Sequence, residues 1–445
     1  MVWDMDESQA TLLRTDDLAR HCGYAASAPR EQRFTPLQGG RTCDVAVVGG
    51  GLAGLSAAIE LADRGFAVTL LEARVIGSGA SGRNGGQALP GLACEPHVIE
   101  AQLGLEAARI VWDAGIEALD LIHRRCARFA IECEWRSGHL LTAVSPRKAR
   151  RLRATADDLR QRYGHAPRFI GANEIGDWIA SPRFVAALHD ARAGHLHPLK
   201  YTLGLARAAA SLRVTIHERT PVVRLVAGPR PRLKTPSGWL DAGRVLLAGN
   251  AYLQGIAPQL ERRIMPVTTY MAATEPLQEA LAASLVPSGA AVCDNNFVLD
   301  YFRVSADRRL LFGGGESVGT AMPRGVDAML RQRITQVFPQ LERTRIESVW
   351  GGYVDVTRNR APDFGRLSVR GDGAHVYYLQ GFSGHGLALT GLAGRIVAEA
   401  MAGDATRFDT FARLKHRPFP GGARFRSAAL QLGLAWYRLR DALVP

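Results

Sequence analysis

Hydrophobic and polar positions recur along the chain with the periods of strands and helices. Residues 44–48 form a short apolar run that predicts a buried strand, and the Ala- and Leu-rich stretch 52–64 predicts a helix. A second apolar run at 67–71 predicts another strand, so the three elements together predict a βαβ unit. Residues 1–41 show little periodicity and predict an irregular lead that lies over the core.

The later periodic stretches predict two domains whose segments are interleaved along the chain. The segment 98–189 has the character of an insertion, and Pro and Gly punctuation between 266 and 315 predicts an antiparallel sheet. The predicted helices are 98–130, 146–163, 173–179, one opened by Pro198, 327–338 and 387–402, and the predicted strands include 133–135, 139–144, 214–217, 222–226, 244–251 and 376–380. We predict a lead at 1–41, a first domain at 42–97, 190–255 and 346–445, and a second domain at 98–189 and 256–345.

Glycines between the first strand and helix match a dinucleotide-binding fingerprint. Gly49, Gly51 and Gly54 have the G-x-G-x-x-G spacing, and Glu72 ends the second strand. Gly49 allows a tight turn, Gly51 lets a pyrophosphate approach the backbone, and Gly54 lets helix and strand pack closely. An ordinary packing turn would not need the second strand with its terminal acid. That acid favours FAD or NAD, although Arg74 keeps NADP open.

The loop after Glu72 is also rich in glycine. Residues 75–87 contain five glycines and no apolar period, and their polar side chains include Ser81, Arg83, Asn84 and Gln87. A loop so poor in side chains is typical of backbone that lies against a flat or phosphorylated ligand. The alternative is a flexible surface linker, which the polar side chains argue against.

A second strand–turn–helix unit lies between residues 376 and 402. The predicted strand 376–380 runs into Gly-Phe-Ser-Gly-His-Gly at 381–386, and a helix of small residues follows at 387–402. The N-terminus of such a helix carries a partial positive charge. It can therefore face an acceptor on a cofactor ring.

Composition is ordinary for a soluble globular protein. The chain has 445 residues, of which 47% are hydrophobic and 22% charged, and it is long enough for two or three domains. No apolar run reaches the roughly 18 to 20 residues that a membrane helix needs. The acidic N-terminal stretch lacks the pattern of a secretory signal. We therefore expect a cytoplasmic enzyme without a transmembrane segment.

The net charge of +13 has two interpretations. It indicates contact with nucleic acid or a membrane surface, or it reflects a solvated surface rich in Arg. The basic residues are spread along the chain except at 147–153, which favours the second interpretation. The six cysteines have no C-x-x-C spacing and no nearby His, so we expect free thiols and no metal site.

Taken together, these motifs resemble the D-amino-acid-oxidase (DAO) superfamily of FAD-dependent amine oxidoreductases. The resemblance is carried by the fingerprint 49–54 with Glu72, the loop 78–87, Leu-Leu-Ala-Gly-Asn-Ala-Tyr at 246–252 and the turn 381–386. Within the superfamily, the chain is most similar to the gamma-glutamylputrescine oxidoreductases. That likeness adds residues 24–28, 418–422 and 437–441.

The resemblance implies an α/β fold, α+β overall and similar to glutathione reductase. A Rossmann-type FAD-binding domain would be assembled from the discontinuous segments of the first domain, and the second would be a substrate domain whose antiparallel sheet roofs the flavin. FAD would be bound non-covalently, because the last motif has no Cys and Ser56 follows the fingerprint. The FAD-contacting positions would be Gly49, Gly51, Leu52, Ala53, Gly54, Glu72, Ala73, Arg74, Gly79, Ala80, Ser81, Arg83, Asn84, Gly85, Gly86, Gln87, Val222, Val223, Ala248, Gly249, Gly381, Gly384, His385, Gly386 and Leu387.

The resemblance also implies oxidation of the C–N bond of an amine or amino acid. A hydride from the carbon beside the nitrogen would pass to the flavin, the imine would be hydrolysed, and oxygen or another acceptor would reoxidise the cofactor. His385 is the candidate beside the flavin, either as a catalyst or as a structural donor. Candidates for the pocket wall are Tyr252, Tyr301, Arg303 and Trp350, with Tyr270 and Tyr353 nearby, and Arg303, Arg358 or Arg360 could pair with a substrate carboxylate.

Several functions stay open from the sequence. We favour a gamma-glutamylputrescine-like amine as the substrate, which would belong to polyamine catabolism. The alternatives are a D-amino-acid or sarcosine-type dehydrogenase, a flavoprotein that acts on a modified tRNA base, and a non-catalytic nucleotide-binding protein. We expect no nucleic-acid partner, because no nucleic-acid module is recognisable. The oligomeric state is open.

Overall fold

The computed structural model describes residues 2–4, 22–226, 228–253, 255–296, 298–317, 322–369 and 372–420. These residues form two nine-stranded sheets with helices packed against them, which confirms the predicted α/β fold. The motif predicted at 437–441 lies outside the described residues, as do residues 421 and 422 of the motif at 418–422.

The first sheet contains the predicted nucleotide-binding unit at its centre. Its strands run in the order β1, β9, β10, β11, β2, β3, β8, and β18 pairs with β11 and with β17. The bounds are β1 Val2–Asp4, β2 Gly39–Val48, β3 Val68–Leu71, β8 Thr215–His217, β9 Arg224–Val226, β10 Arg232–Thr235, β11 Gly238–Leu247, β17 Asp363–Val369 and β18 Asp372–Gln380.

The second sheet is mostly antiparallel and follows the order β16, β12, β15, β14, β13, β5, β7, β4, with β6 beside β7. Its strands are β4 Gln87–Ala88, β5 Arg136–Ala143, β6 Arg168–Ile170, β7 Ala186–His195, β12 Ile264–Thr274, β13 Ala291–Asp294, β14 Asp300–Val304, β15 Leu310–Ser317 and β16 Ile346–Thr357. Residues 346–357 therefore lie in the second sheet, whereas the sequence placed them in the first domain. The hydrogen bonds of β16 to β12 cause this difference.

The described helices pack on both sheets. They are α1 Tyr24–Ser27, α2 Leu52–Asp63, α3 Pro96–Leu103, α4 Leu105–Phe129, α5 Pro146–Tyr163, α6 Ile175–Trp178, α7 Pro198–Ser211, α8 Pro258–Glu261, α9 Glu279–Leu285, α10 Val326–Val337, α11 Gly386–Ala402 and α12 Thr406–Ala412. The predicted helix 146–163 is confirmed at both ends. The predicted helix 98–130 is interrupted at Gly104, whose φ is +82°.

Two other segments differ from the sequence prediction. Residues 133–135 are not a strand, because the left-handed φ of +57° at Glu134 breaks extended backbone. The lead contains helix α1 and strand β1, and β1 pairs with β9. Short elements of three or four residues are too brief to carry a periodic hydrophobic signal.

Parallel pairing brings the carboxyl ends of several strands together at one edge of the first sheet. Strand β2 lies between β11 and β3, and β18 runs parallel to β11. Val48, Leu71 and Leu247 are in register at the carboxyl ends of their strands. The residues that follow them therefore meet at this edge, where open α/β sheets bind ligands.

Helices α2 and α11 pack closely against each other on the first sheet. A Cβ atom added at Gly394 of α11 would lie 2.5 Å from the backbone nitrogen of Ala57 in α2. Small residues on both helices permit this approach. The start of α11 is thereby placed beside the start of α2.

All six cysteines are free thiols, and the sulfur atoms of Cys126 and Cys133 lie 3.4 Å apart. The hydrogen bond between these thiols lowers the pKa of Cys126 and raises that of Cys133. Within the described ranges, no helix has both the length and the apolar character needed to cross a bilayer.

Candidate active site

A groove opens at the carboxyl edge of the first sheet. Strand ends and glycine-rich turns form its walls. Its lining residues are Val48 to Gly51, Leu71 to Arg74, Gly77 to Ser81, Thr220, Val222, Ala248 to Asn250, Tyr252, Leu253 and Ile256.

The fingerprint glycines occupy positions that a side chain could not share. Gly49 has a φ of +113°, and a Cβ atom there would lie 2.6 Å from the carbonyl oxygen of Ala248. A Cβ atom at Gly54 would lie 2.0 Å from the carbonyl oxygen of Gly49. The turn and the helix therefore need glycine at both positions.

The N-terminus of α2 faces the loop after Glu72. The backbone N–H of Leu52 donates to Ser81 Oγ over 2.9 Å. A Cβ atom at Gly51 would lie 2.7 Å from the same oxygen. This contact fixes the loop against the positive end of the helix, which is the end that binds phosphate in nucleotide sites.

Glu72 is held at the wall of the groove by backbone donors. Its carboxylate accepts hydrogen bonds from the N–H of Gly50 over 2.7 Å and of Arg74 over 2.9 Å. Burial raises its pKa, and nearby Glu218 adds to that rise. A carboxylate has about four acceptor positions, so it can also accept from the two hydroxyls of a ribose.

Two residues predicted for the substrate pocket instead contact the loop from the second sheet. Trp350 is fully buried, and its Nε1 donates to the carbonyl of Arg83 over 2.9 Å. Arg303 is also buried, and its Nε donates to the carbonyl of Gly85 over 2.8 Å. These contacts favour a positioning role for both side chains. Contact of either with substrate stays a prediction.

The tyrosines predicted for the pocket differ in their placement. Tyr252 lines the groove, and its hydroxyl accepts a hydrogen bond from Arg83 over 2.9 Å. Tyr301 lies against the loop, because a Cβ atom at Gly85 would lie 2.7 Å from its ring. Burial raises the pKa of Tyr301, so its hydroxyl stays neutral. Tyr252 is thus the predicted aromatic residue that faces the groove.

The second glycine turn is held by strand β16. Gly381, Ser383 and Gly384 all have positive φ, at +76°, +52° and +86°. The carboxylate of buried Asp355 accepts from the N–H of Gly381, and the carbonyl of Asp355 accepts from Ser383 over 3.1 Å. Ser383 Oγ accepts from the N–H of Thr357 over 3.2 Å. The turn is therefore fixed from the second sheet.

His385 lies at the N-cap of α11. Its Nε2 is 2.9 Å from the carbonyl of Pro90, and a carbonyl can only accept, so Nε2 carries the proton. Burial lowers the pKa of His385, which leaves the ring neutral. Nδ1 is then available as an acceptor. The structure therefore fits a hydrogen-bonding residue better than a general acid.

Some predicted cofactor residues use their side chains within the protein. Gln87 Nε2 donates to the carbonyl of Val292, and Asn84 Nδ2 donates to the carbonyls of Ala80 and Ser81. The N–H of Val223 bonds to Lys234 within the sheet, whereas Val222 lines the groove.

Residues 381–387 belong to the second turn and the start of α11, and they do not line the groove. Residues 83–87 of the loop do not line it either. The predicted site residues omitted the wall residues Val48, Gly50, Leu71, Gly77, Ser78, Thr220, Asn250, Leu253 and Ile256. Gly50, Gly77, Ser78 and Asn250 lie within recognised motifs, and Val48 and Leu71 end predicted strands, so these could have been found from the sequence. The others follow strands that only the tertiary pairing brings to this edge.

The remaining candidates are placed away from the groove wall. Arg358 is 3.4 Å from the carbonyl of Pro418 through its NH1 atom. The hydroxyl of Tyr270 forms a hydrogen bond with Ser317, and Tyr353 is buried in the hydrophobic core beside the second sheet. Arg360 has a φ of +60° in the turn after β16.

The groove fits a dinucleotide such as FAD. Glycine backbone gives a close approach at the α2 N-terminus, where a pyrophosphate binds. Glu72 offers acceptors at the ribose position, and Val222 offers an apolar surface for an adenine ring. Each of these features suits one part of FAD, and none of them conflicts with FAD binding.

Comparisons with known proteins give the class that uses such a site. The family model described as FAD dependent oxidoreductase (DAO) matches residues 44–400. The chain is 41% identical over 422 residues to gamma-glutamylputrescine oxidoreductase of Escherichia coli (strain K12), a match that covers 94% of this chain and 98% of that protein.

Two further comparisons are more distant. The chain is 27% identical over 410 residues to the tRNA 5-methylaminomethyl-2-thiouridine biosynthesis bifunctional protein of Maricaulis maris (strain MCS10), covering 87% of this chain and 58% of that one. The solved structure of glycine oxidase from Geobacillus kaustophilus matches with a TM-score of 0.71 and 21% identity, covering 85% of this chain and 100% of that chain. The structural likeness shows a shared fold.

Proposed function

We propose that this chain, which belongs to the DAO family of FAD-dependent oxidoreductases, oxidises a C–N bond of gamma-glutamylputrescine or a closely similar amine. Its class is an FAD-dependent oxidoreductase that acts on amines or amino acids. FAD was predicted from the sequence and is confirmed as the cofactor. The observation that carries the substrate proposal is the 41% identity over nearly the full length of a gamma-glutamylputrescine oxidoreductase.

We assign the adenosine and pyrophosphate of FAD to the groove. Glu72 would accept from the ribose hydroxyls, and the backbone at Gly51 and the first turn of α2 would contact the phosphates. Val222 would contact the adenine. Binding would be non-covalent, because Ser383 and His385 stand in the last motif without a cysteine.

We place the flavin ring between the loop 83–87 and the turn 381–386. When bound, FAD takes up the hydride that leaves the carbon beside the substrate nitrogen. The start of α11 would direct a positive helix end at the pyrimidine side, where negative charge develops. A neutral His385, with Nδ1 as an acceptor, would hold a hydrogen bond there without supplying a proton.

The substrate would lie between the flavin and the second sheet. Tyr252 lines the groove assigned to FAD, and its hydroxyl accepts from Arg83 of the loop, so we assign its ring to the boundary between the cofactor and the substrate. Arg303 donates to Gly85 through Nε, so its contribution would be to place the loop. Hydrolysis of the released imine needs only water, and the chain need not supply a strong base if the amine arrives unprotonated.

Anaerobic titration of the FAD-loaded protein tests the substrate. We expect gamma-glutamylputrescine to bleach the flavin absorption and to be converted to an aldehyde, with putrescine, sarcosine and D-amino acids far slower. A flavin reduced fastest by sarcosine or a D-amino acid would keep the family and overturn the substrate. A flavin that none of these compounds reduces would overturn amine oxidation of this type.

A tRNA base is the second candidate substrate. It is favoured by the match to a tRNA-modifying relative and by the net charge of +13. Phosphate contacts would make tRNA binding strongly salt-dependent. Filter binding of unmodified and modified tRNA at low and high salt decides between the two. Salt-sensitive tRNA binding together with flavin reduction by modified tRNA would replace the amine proposal, and the absence of such binding would remove the tRNA candidate.

A further inference from the structure

We propose that Tyr24, in the lead that precedes the fingerprint, is a positioning residue for the flavin-side loop. Residues 24–28 were recognised in the sequence, but the assignment of the site gives them no part. The inference rests on the placement of FAD proposed above. It concerns cofactor binding and is independent of which amine is oxidised.

Three consecutive carbonyls of the loop each accept from one buried side chain. Trp350 donates to Arg83 over 2.9 Å, Tyr24 donates to Asn84 over 2.9 Å, and Arg303 donates to Gly85 over 2.8 Å. The donors belong to β16, the lead and β14. Three regions of the chain therefore meet on one short piece of backbone.

Tyr24 is the central member of this set. It is only 3% exposed, and its ring lies 5.4 Å from that of Trp350 in an edge-on arrangement. The Tyr24 hydroxyl accepts a hydrogen bond from Arg303 Nη2 over 3.3 Å. It therefore accepts from the arginine while it donates to the carbonyl of Asn84. Burial raises the pKa of Tyr24, so the hydroxyl keeps its proton and can donate throughout the neutral range.

The clamped carbonyl is connected to the phosphate end of the groove. The side chain of Asn84 donates to the carbonyls of Ala80 and Ser81, and its Oδ1 accepts from the N–H of Gly86. Ser81 Oγ in turn accepts from the first N–H of α2. Movement of Asn84 would therefore be transmitted to the residue that caps the phosphate-binding helix.

The loop cannot easily find another position for this backbone. Gly86 has a φ of +77°, and a Cβ atom there would lie 2.1 Å from the carbonyl of Leu196. The loop is thus pressed onto the second sheet by close packing. A missing donor would leave the partly buried carbonyl of Asn84 unpaired at a site with little room for rearrangement.

The rest of the lead follows the same side of the groove. Arg30 donates to the carbonyl of Ile76 over 2.7 Å, and the N–H of Leu37 donates to Thr220 Oγ1 over 3.0 Å. Thr220 lines the groove. The lead therefore contacts the cofactor loop at two places, Ile76 and Asn84, and the groove wall at Thr220, and Tyr24 is the contact nearest the proposed flavin ring.

The substitution Tyr24→Phe tests the proposal because it removes only the hydroxyl. We expect the dissociation constant of FAD, measured by the fluorescence of released flavin, to rise about tenfold, the effect of one buried hydrogen bond. The visible spectrum of bound flavin should also shift. Two controls match the change: Ser27→Ala removes the bond of the same helix to His197, and Tyr163→Phe removes a hydroxyl that bonds to Glu100.

Both controls should keep the FAD dissociation constant within twofold of the parent protein. If Ser27→Ala weakens FAD as much as Tyr24→Phe does, the lead acts as a general cover, and the role of Tyr24 is overturned. An unchanged dissociation constant in Tyr24→Phe overturns it as well. A parent protein that binds FAD but oxidises no amine would sink the proposed function and leave this inference standing.

Discussion

Two strand–turn–helix units lie where we propose that FAD binds, and each is fixed by different contacts. In the first unit, β2 leads through Gly49 into α2, and the constraints lie within the unit and its neighbouring strand. The Cβ position of Gly54 is occupied by the carbonyl of Gly49, and the helix is capped by Ser81. The close backbone contacts at its glycines therefore determine the shape of this turn.

The second unit, from β18 through residues 381–385 into α11, depends on another sheet. Asp355 and Thr357 of β16 bond to Gly381 and Ser383, and three residues of the turn have positive φ. One of them, Ser383, pays a conformational cost of about 1 to 2 kcal/mol that glycine would not. The turn keeps its shape because β16 fixes it.

This difference between the two units predicts how substitutions in each of them should act. Substitutions in the first unit should disturb phosphate binding through steric conflict. Substitutions in the second unit should act through the loss of its contacts with β16, whereas the volume of an added side chain should have little effect there.

The largest effect is expected for Gly54→Ala. The added Cβ would meet a backbone oxygen at 2.0 Å, so α2 must move away from β2. We expect loss of FAD binding and a stability loss of about 3 kcal/mol or more. Calorimetric titration with FAD and urea unfolding measure both. Gly176→Ala is the control, since nothing lies within 4 Å of its Cβ position, and an FAD affinity retained in Gly54→Ala would contradict the steric argument.

Glu60→Gln should act on the packing of α2 against α11. Glu60 accepts from Arg395 of α11 over 2.9 Å and from Arg125 over 3.1 Å. Burial alone would raise its pKa, but the arginine contacts outweigh it and lower the pKa to about 2. Removal of the charge leaves buried Arg125 without a countercharge, which costs about 3 kcal/mol.

The pH dependence of this effect has a definite sign. The pKa of Glu60 is lower in the folded protein than its ordinary value of about 4.3. Its contribution is therefore complete above about pH 5 and is lost as the pH falls toward 2. Urea unfolding at pH 7 and pH 3.5 should show a smaller gap between parent and Glu60→Gln at the lower pH. Glu95→Gln, on an exposed pair with Arg151, should change stability by less than about 0.5 kcal/mol.

Asp355→Ala should loosen the second turn. It leaves the buried N–H of Gly381 unpaired, at a cost of about 2 kcal/mol. Asp355→Asn keeps an acceptor and should preserve FAD affinity, whereas Asp355→Ala should weaken it about tenfold. Equal FAD affinity in both variants would show that the turn does not depend on this acceptor.

Asp355 also predicts a pH effect opposite to that of Glu60. Burial raises its pKa to about 7, with a smaller contribution from nearby Asp363. The folded state then holds a proton that the unfolded state releases above about pH 4. Its contribution to stability is present below about pH 4 and is lost as the pH rises toward 7. The parent should therefore lose stability across this window relative to Asp355→Asn, measured by urea unfolding at several pH values.

The smallest effect is expected for Gly384→Ala. Its Cβ position is open, with Val354 Cγ1 nearest at 3.7 Å, so only the φ of +86° opposes a side chain. We expect a stability loss of about 1 to 2 kcal/mol. Gly403→Ala has the same kind of backbone, at a φ of +114°, and should cost the same while leaving FAD affinity unchanged. A loss for Gly384→Ala as large as that for Gly54→Ala would reverse the comparison of the two units.

The first unit could be predicted almost completely from the sequence. Its strand, helix and terminal acid follow one another within residues 44–72, and glycine spacing carries the geometry. The α2 bounds of Leu52–Asp63 agree with the predicted 52–64. Local periodicity and local steric rules were sufficient here.

The second unit and the pocket side chains were harder to predict. The motif 381–386 was recognised, but Asp355 was not, because its partner lies in a different sheet. Arg303 and Trp350 were predicted for the pocket wall, and no sequence pattern indicates that each donates to a backbone carbonyl of the loop. Hydrogen bonds between distant segments have no periodic trace.

The order of strands in the first sheet has a consequence for synthesis of the protein. Strand β11 pairs with β2 along one edge, while its other edge pairs with β10 at residues 238–241 and with β18 at residues 245–247, so two of its partners come from residues 39–48 and 372–380. Pairings this distant in sequence slow folding, because long loops must close before any contact forms. On the ribosome, the carboxyl half of β11 would have one exposed edge until residues near 380 emerge. That growing chain is the stage most open to misassembly and to help from chaperones.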